Sequence, residues 1–150
     1  MTSTQVLSAT PENYNFLALD EALKQSENEN KPMLLYFGRY GCNTCRKMHK
    51  EVFTDSTIQQ SMQQNFVLAY VDTESGNRIR LANGERTTEM QFASRSRILG
   101  TPTFIYFSAQ QQPLFQKAGF QSIAQMQAYS DFVSEQHYKS MPLEQYLSQR

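Results

Sequence analysis

The 150-residue sequence has no tryptophan and only two cysteines, Cys42 and Cys45. Cysteines that close together cannot tie distant parts of a fold, so stability has to come from packing. No sign of charge prevails, because fourteen Lys and Arg balance fourteen Asp and Glu. No basic run suggests a surface that follows phosphates or anionic lipid, so nucleic acid is not expected as a partner. Nor does any stretch approach the roughly 20 apolar residues needed to cross a bilayer, so no membrane span is expected. Residues 1–10 lack the basic start and apolar middle of a signal peptide. There is no internal repeat, and the frequent glutamines are scattered among apolar positions rather than gathered in a tract.

What is present describes a globular chain. Apolar residues make up 39% and charged residues 19%, with ten Phe and eight Tyr. This length supports one core and is too short for two well-packed ones. The expectation is a single domain over 1–150, with 1–12 a flexible N-terminal segment and 140–150 a short C-terminal helical extension.

The apolar spacing of Phe16, Leu19 and Leu23 predicts a helix over 16–26, ended by the polar residues 27–30. Residues 33–37, an apolar run between Pro32 and Gly38, suit a strand buried on both faces. Gly38 and Gly41 break that strand, and 42–52 resumes a helical pattern with Cys45, Met48 and Val52 on one face. Asp55 or Ser56 can cap the next helix, Ser56 and Gln59 having capping-box spacing. Residues 66–71 read as a second buried strand. Around Asn83-Gly84, residues 78–81 and 85–88 read as a small hairpin insertion.

Thr88 and Gln91 offer another capping box, ahead of a short helix that stops near Gly100. Residues 103–107 form a third strand, and 114–118 an antiparallel hairpin partner. A final capping box at Ser122 and Gln125 opens a helix whose Ile123, Met126, Tyr129, Phe132 and Val133 form an apolar stripe. Residues 142–148 add a last helical turn.

The spacing Cys42-Asn43-Thr44-Cys45 at the start of a helix carries the chemistry. It brings both sulfurs within bonding distance, and the N–H groups of the first helical turn favour a thiolate on the first cysteine. Cys42 would attack a disulfide to give a mixed disulfide, and Cys45 would resolve it. Gly41 leaves room beside Cys42 for a substrate chain, and Arg46 and Lys47 could add positive potential. Alone, a C-x-x-C is as readily half a zinc site or a structural disulfide. The other soft ligands, His49 and His137, are not in a paired spacing, which weakens the metal reading. A second feature is Gly100-Thr101-Pro102-Thr103, a proline tolerated at the start of a strand. Only about 5–6% of X-Pro bonds are cis, so by itself it is an ordinary trans proline.

Taken together, Lys31-Pro32-Met33-Leu34-Leu35-Tyr36-Phe37, Gly41-Cys42-Asn43-Thr44-Cys45-Arg46-Lys47-Met48 and Gly100-Thr101-Pro102-Thr103-Phe104 resemble the thioredoxin superfamily. The closer likeness is to bacterial thioredoxin-related proteins of the SoxW and thioredoxin-like type, many of them exported, and it extends over about residues 16–133. The resemblance implies an α/β thioredoxin-like fold: a central mixed sheet of four to five strands flanked by helices, with the hairpin inserted before a cis-proline. It implies Cys42 as the exposed attacking thiol, Cys45 as the buried resolving thiol, and Pro102 as a cis-proline facing them. Thr101 would then lend its backbone to a bound peptide strand, a form of β-augmentation.

The sequence also departs from thioredoxin. Asn43-Thr44 replaces Gly-Pro between the cysteines, which bears on the redox potential, and the flanking tryptophans are absent. Tyr36 stands where thioredoxin has a buried aspartate, so the usual proton acceptor for the resolving thiol is missing. A buried tyrosine does not replace it at neutral pH.

Of the remaining candidates, His49 reads as a surface or satisfied histidine, and His137 as a residue near a helix C-terminus that interacts with the dipole. Met33, Met48, Met62, Met90 and Met126 sit at core spacings and read as filler. Arg78 and Arg80 read as part of a solvated hairpin. The expected function is a protein-disulfide oxidoreductase, foremost a reductase. The alternatives are an oxidase or isomerase of the same fold, a thiolate carrier of copper or zinc, or a docking scaffold with incidental cysteines. The expected partners are proteins with disulfides or thiols and an upstream thiol-disulfide electron donor. No cofactor beyond the Cys42–Cys45 couple and no resident metal is expected, and the protein is expected to be a monomer. The expected location is periplasmic or otherwise extracytoplasmic, with the cytoplasm as the alternative and any export signal lying outside this sequence.

Overall fold

Six consecutive residues buried on both sides, Met33–Gly38, form the strand around which the chain is built. The structure is a computed structural model, and it describes residues 9–150. In chain order the elements are β1 (Phe16–Leu17), α1 (Leu19–Glu29), β2 (Met33–Gly38), α2 (Asn43–Glu51), α3 (Ser56–Asn65) and β3 (Val67–Asp72). There follow β4 (Arg78–Arg80), β5 (Arg86–Thr88), α4 (Glu89–Arg95), β6 (Thr103–Phe107), β7 (Pro113–Ala118), α5 (Ile123–Ser134), a 3-10 turn (His137–Lys139) and α6 (Leu143–Gln149).

The main sheet has the order β1-β3-β2-β6-β7. β2 runs parallel to β3 and antiparallel to β6, which pairs antiparallel with β7, so the sheet is mixed. Because side chains alternate along a strand, β2 feeds two cores. Leu34 and Tyr36 enter one with α2, α3, α5 and α6, while Met33, Leu35 and Phe37 enter the other, where Leu19, Ala22, Ile79 and Ala93 pack. Both faces are covered by helices, which is why β2 and β3 read as continuous apolar runs.

The inserted hairpin forms as expected, Ile79 pairing with Thr87. The capping boxes at Thr88 and Ser122 are both present. Other expectations need correction. Residues 16–17 are a strand rather than the first turn of a helix, because Phe16 and Leu17 pair with Leu68 and Ala69 at the sheet edge. The helix starts at Leu19 and continues to Glu29, where Asn30 takes the left-handed conformation that ends it. Asp55, not Ser56, caps α3, accepting from the N–H groups of Thr57 and Ile58. The helix before the cis-proline stops at Arg95. Met90 and Ile123 are exposed, because α4 turns Ala93 inward and α5 buries Met126, Tyr129, Phe132 and Val133 instead.

Of the N-terminal segment 1–12, residues 1–8 lie outside the described residues, while Thr10 and Pro11 are buried. Over 140–150, α6 buries Leu143 and Tyr146 against α5. Among the described residues no helix is long and apolar enough to cross a membrane.

Candidate functional site

β2 ends at Gly38, where a side chain would not fit: an added Cβ would lie 2.9 Å from the Tyr70 hydroxyl and 3.3 Å from that of Tyr36. Two phenols can therefore close over the end of the strand. The chain then turns through Gly41, whose φ of +75° lies in the region that suits glycine. That turn sets Cys42, in extended conformation, as the N-cap of α2.

Cys42 and Cys45 are joined by a disulfide, their Cα atoms 5.2 Å apart. The Sγ of Cys42 accepts the backbone N–H of Cys45 at 3.1 Å, so the sulfur takes the place of an N-cap oxygen. A thiolate there would gain from the unpaired N–H groups of the first turn. Asn43 and Thr44 point outward between the cysteines, and Arg46 hydrogen-bonds the Asn43 side chain.

Facing the disulfide is the loop before β6. The Thr101-Pro102 peptide bond is cis. The Thr101 hydroxyl donates to Cys42 Sγ at 3.1 Å, so this residue meets the sulfur through its side chain, a contact for which the sequence held no signal. Pro102 is buried, and its carbonyl accepts the N–H of Gly119 at 2.8 Å. The loop after β7 thereby buttresses the site. Its Gln121 N–H points at Met48 Sδ, 3.3 Å away, and its Phe120 ring receives Lys47 Nζ at 4.5 Å from the centroid. Lys47 is thus drawn to an aromatic face.

One expectation is overturned in this oxidised form. The resemblance implies an exposed Cys42, yet it is only 3% exposed, against 4% for Cys45. Its sulfur is bonded to Cys45 and covered by the Thr101 hydroxyl. Exposure falls instead on neighbouring side chains: Tyr40 is 92% exposed and Leu99 98%.

Tyr36 lies on the core face that also holds Cys42 and Cys45. Its ring stacks on Phe104 and meets Tyr70 edge-on. Its hydroxyl is 2.8 Å from Nε2 of His49, which is half-buried and therefore satisfied rather than a surface residue. Burial raises the pKa of Tyr36 and of Tyr70 far above neutrality, Tyr70 being further raised by Asp72 and Glu89. Both stay protonated. Burial also lowers His49 to about 4, so the imidazole is neutral at pH 7.

The other candidates lie apart. His137 bonds Glu135 and stacks on Tyr146, and Arg78 and Arg80 are exposed on the hairpin. Among the described residues no group of three or more His, Cys, Asp and Glu is arranged to hold a metal ion.

Comparison with known proteins agrees with this geometry. The model of the thioredoxin-like domain family matches residues 19–134. The chain is 28% identical over 127 residues to the thiol:disulfide interchange protein DsbD of Salmonella paratyphi A, covering 79% of this chain and 20% of that protein. It therefore spans about one fifth of that relative's length. Among solved structures it resembles a thioredoxin-fold protein from Helicobacter pylori, with a TM-score of 0.69 at 19% identity over 80% of this chain and 84% of that one. It also resembles a thioredoxin from Thermus thermophilus, with a TM-score of 0.67 at 20% identity over 79% and 85% of the two chains.

Proposed function

The chain belongs to the thioredoxin-like domain family, and from that premise we propose that it is a thiol-disulfide oxidoreductase acting on proteins through Cys42 and Cys45, in the reducing direction. The observation that carries this reading is the disulfide at the N-terminus of α2, set against the loop of the cis Thr101-Pro102 bond. In the reduced state Cys42, as thiolate, attacks a client disulfide and forms a mixed disulfide, and Cys45 then displaces the client thiol. Gly41 adds no side chain that could obstruct a client beside Cys42, and the backbone of Thr101 would pair with an extended client segment.

What stabilises the thiolate bears on the direction. A couple becomes oxidising when its reduced form is strongly stabilised. Here the contacts to Cys42 Sγ are two neutral donors, Cys45 N–H and the Thr101 hydroxyl. The nearby cations are engaged elsewhere, Arg46 with Asn43 and Lys47 with Phe120. With no cation on the sulfur among the described residues, the disulfide form is favoured over the thiolate, which supports the reducing direction. The relative's name, thiol:disulfide interchange protein, fits exchange with protein partners, including an upstream donor that re-reduces the pair. A periplasmic setting is proposed on the same likeness. The nearer resemblance to SoxW-type proteins rests on the motifs alone.

The test is equilibration with glutathione and with dithiothreitol. A potential below roughly −230 mV is expected for a reductase, whereas a value near roughly −120 mV would make it an oxidant. Cys42→Ser should abolish reduction of a protein disulfide, and Cys45→Ser should trap the client as a mixed disulfide. Full activity of Cys42→Ser would exclude the reading.

A further inference from the structure

The second exchange step requires Cys45 to lose a proton in a buried place, and the position that holds a carboxylate in thioredoxin is Tyr36. That phenol is held protonated and cannot accept. Its bonding partner can. Cys45 and His49 stand four residues apart on α2, a spacing that puts two side chains on one helix face with Cβ atoms about 5–6 Å apart. Long helical side chains also lean toward the N-terminus, which carries His49 toward Cys45. Tyr36, from β2, belongs to the same buried cluster as Cys45 and holds His49 Nε2 at 2.8 Å, with Phe53 packed edge-on against the imidazole.

The titratable groups on this side are few. They are Tyr36 from β2, Tyr70 from β3 packed against Tyr36 with Asp72 and Glu89 acting on it, Tyr14 packed on Phe53, and Cys45 on α2 itself, with Arg46 and Lys50 turned to solvent. None of the ion pairs among the described residues involves His49.

We infer that His49, oriented by Tyr36, takes the proton of Cys45 when that thiol resolves the mixed disulfide. The inference deepens the exchange reading given above and rests on it. The Cys45 S–H gives its proton to the imidazole, and the resulting thiolate forms a bond to Cys42 Sγ. The bond between Cys42 and the client sulfur breaks, the client leaves with the electron pair, and it collects the proton from the imidazolium. One disulfide forms as one is lost, so no outside oxidant or reductant enters.

Tyr36 is the positioning residue in this scheme. When Nε2–H donates to the phenol oxygen, Nδ1 is left as the accepting nitrogen. Burial leaves the ring unprotonated at neutral pH but disfavours the imidazolium, and the thiolate formed beside it offsets that cost.

The test is release of a fluorescent cysteine-containing peptide from its mixed disulfide with Cys42, followed by rapid mixing. His49→Gln keeps a donor for Tyr36 but cannot take up a proton. It is expected to slow release by about 100-fold at neutral pH, the deficit shrinking as the pH rises to where Cys45 ionises unaided. In a Cys42→Ser background, alkylation of Cys45 should titrate at higher pH once His49→Gln is added. Tyr36→Phe, which keeps the ring and its packing, should slow release by a smaller factor and serves if His49→Gln folds poorly. Release by either variant within about two-fold of wild type from about pH 6 to 9 would overturn the role of His49. Wild-type protein that forms no mixed disulfide would instead sink the exchange reading itself.

Discussion

The two faces of the central sheet are built from different materials. On the face with α1 and α4 the clustered core is Leu19, Ala22, Met33, Leu35, Phe37, Val67, Ala69, Val71, Ile79, Ala93 and Ile105, none with a nitrogen or oxygen in its side chain, although α1 also buries Ser26 and α4 buries Glu89. On the disulfide's face the core is rich in tyrosine: Tyr14, Tyr36, Tyr70, Tyr106, Tyr129 and Tyr146. Several polar tips there find partners, as when Tyr14 donates to the Phe53 carbonyl, Tyr36 meets His49, and Ser61 meets Ser130. A mainly aliphatic face supplies stability through area removed from water. A face with hydroxyls and an imidazole supplies less per residue, because each buried polar group must first recover its lost hydration. Putting those groups beneath the disulfide concentrates chemistry on one side and structural stability on the other.

That contrast can be broken by mutation. The largest effect is expected from Leu35→Ala on the mainly aliphatic face, where a fully buried side chain is lost. Denaturant melts should show a loss of about 2–5 kcal/mol. Disulfide exchange per folded molecule should not change, and a slower exchange would end the division of labour between the faces.

On the other face, Tyr36→Phe removes one hydrogen bond and no packing area. Its stability should fall by only about 1 kcal/mol, while client release slows. Acid sharpens the comparison further. Burial lowers His49 from 6.5 to about 4, so as pH falls the unfolded chain binds this proton first. The sign follows: this contribution to stability is complete above about pH 6.5 and is lost progressively down to about pH 4. Urea midpoints measured across that window should fall less steeply in His49→Gln than in wild type. The smallest effect is expected away from both cores. Glu85 and Arg95 pair at 2.6 Å with side chains 44% and 50% exposed, so Glu85→Gln should alter stability by less than about 1 kcal/mol.

Much of this arrangement is legible in the sequence because local signals and tertiary needs agree. The run at Met33–Gly38 reads as a strand covered on both faces and is one. The boxes at Thr88 and Ser122 mark their helix starts to the residue. The short strand Phe16–Leu17 escapes, because two residues show no period and only the pairing with Leu68 and Ala69 makes them extended. Met90 misleads for a related reason: α4 has seven residues, too few for a helical period to fix its inward face.

At the site, the spacing of Cys42 and Cys45 and the motif at Thr101 and Pro102 are plain in the sequence. The bond from the Thr101 hydroxyl to Cys42 and that between Tyr36 and His49 are not. The first joins residues 59 apart, and the second crosses from a strand to a helix. The first pair is too far apart for any local window, and the second, 13 residues apart, spans two elements of different period.

The cover over Cys42 has a kinetic meaning. A thiolate that displaces one sulfur from another must arrive along the axis of the bond it cleaves, and its rate depends on access to that line. With the Thr101 hydroxyl resting on Cys42 and Cys45 bonded to it, only 3% of Cys42 stays exposed to a thiol arriving from bulk water. A polypeptide guided by the loop of Thr101 and Pro102 would be delivered at a fixed angle. Selectivity of this kind needs no affinity for a particular side chain, because it comes from the direction of approach.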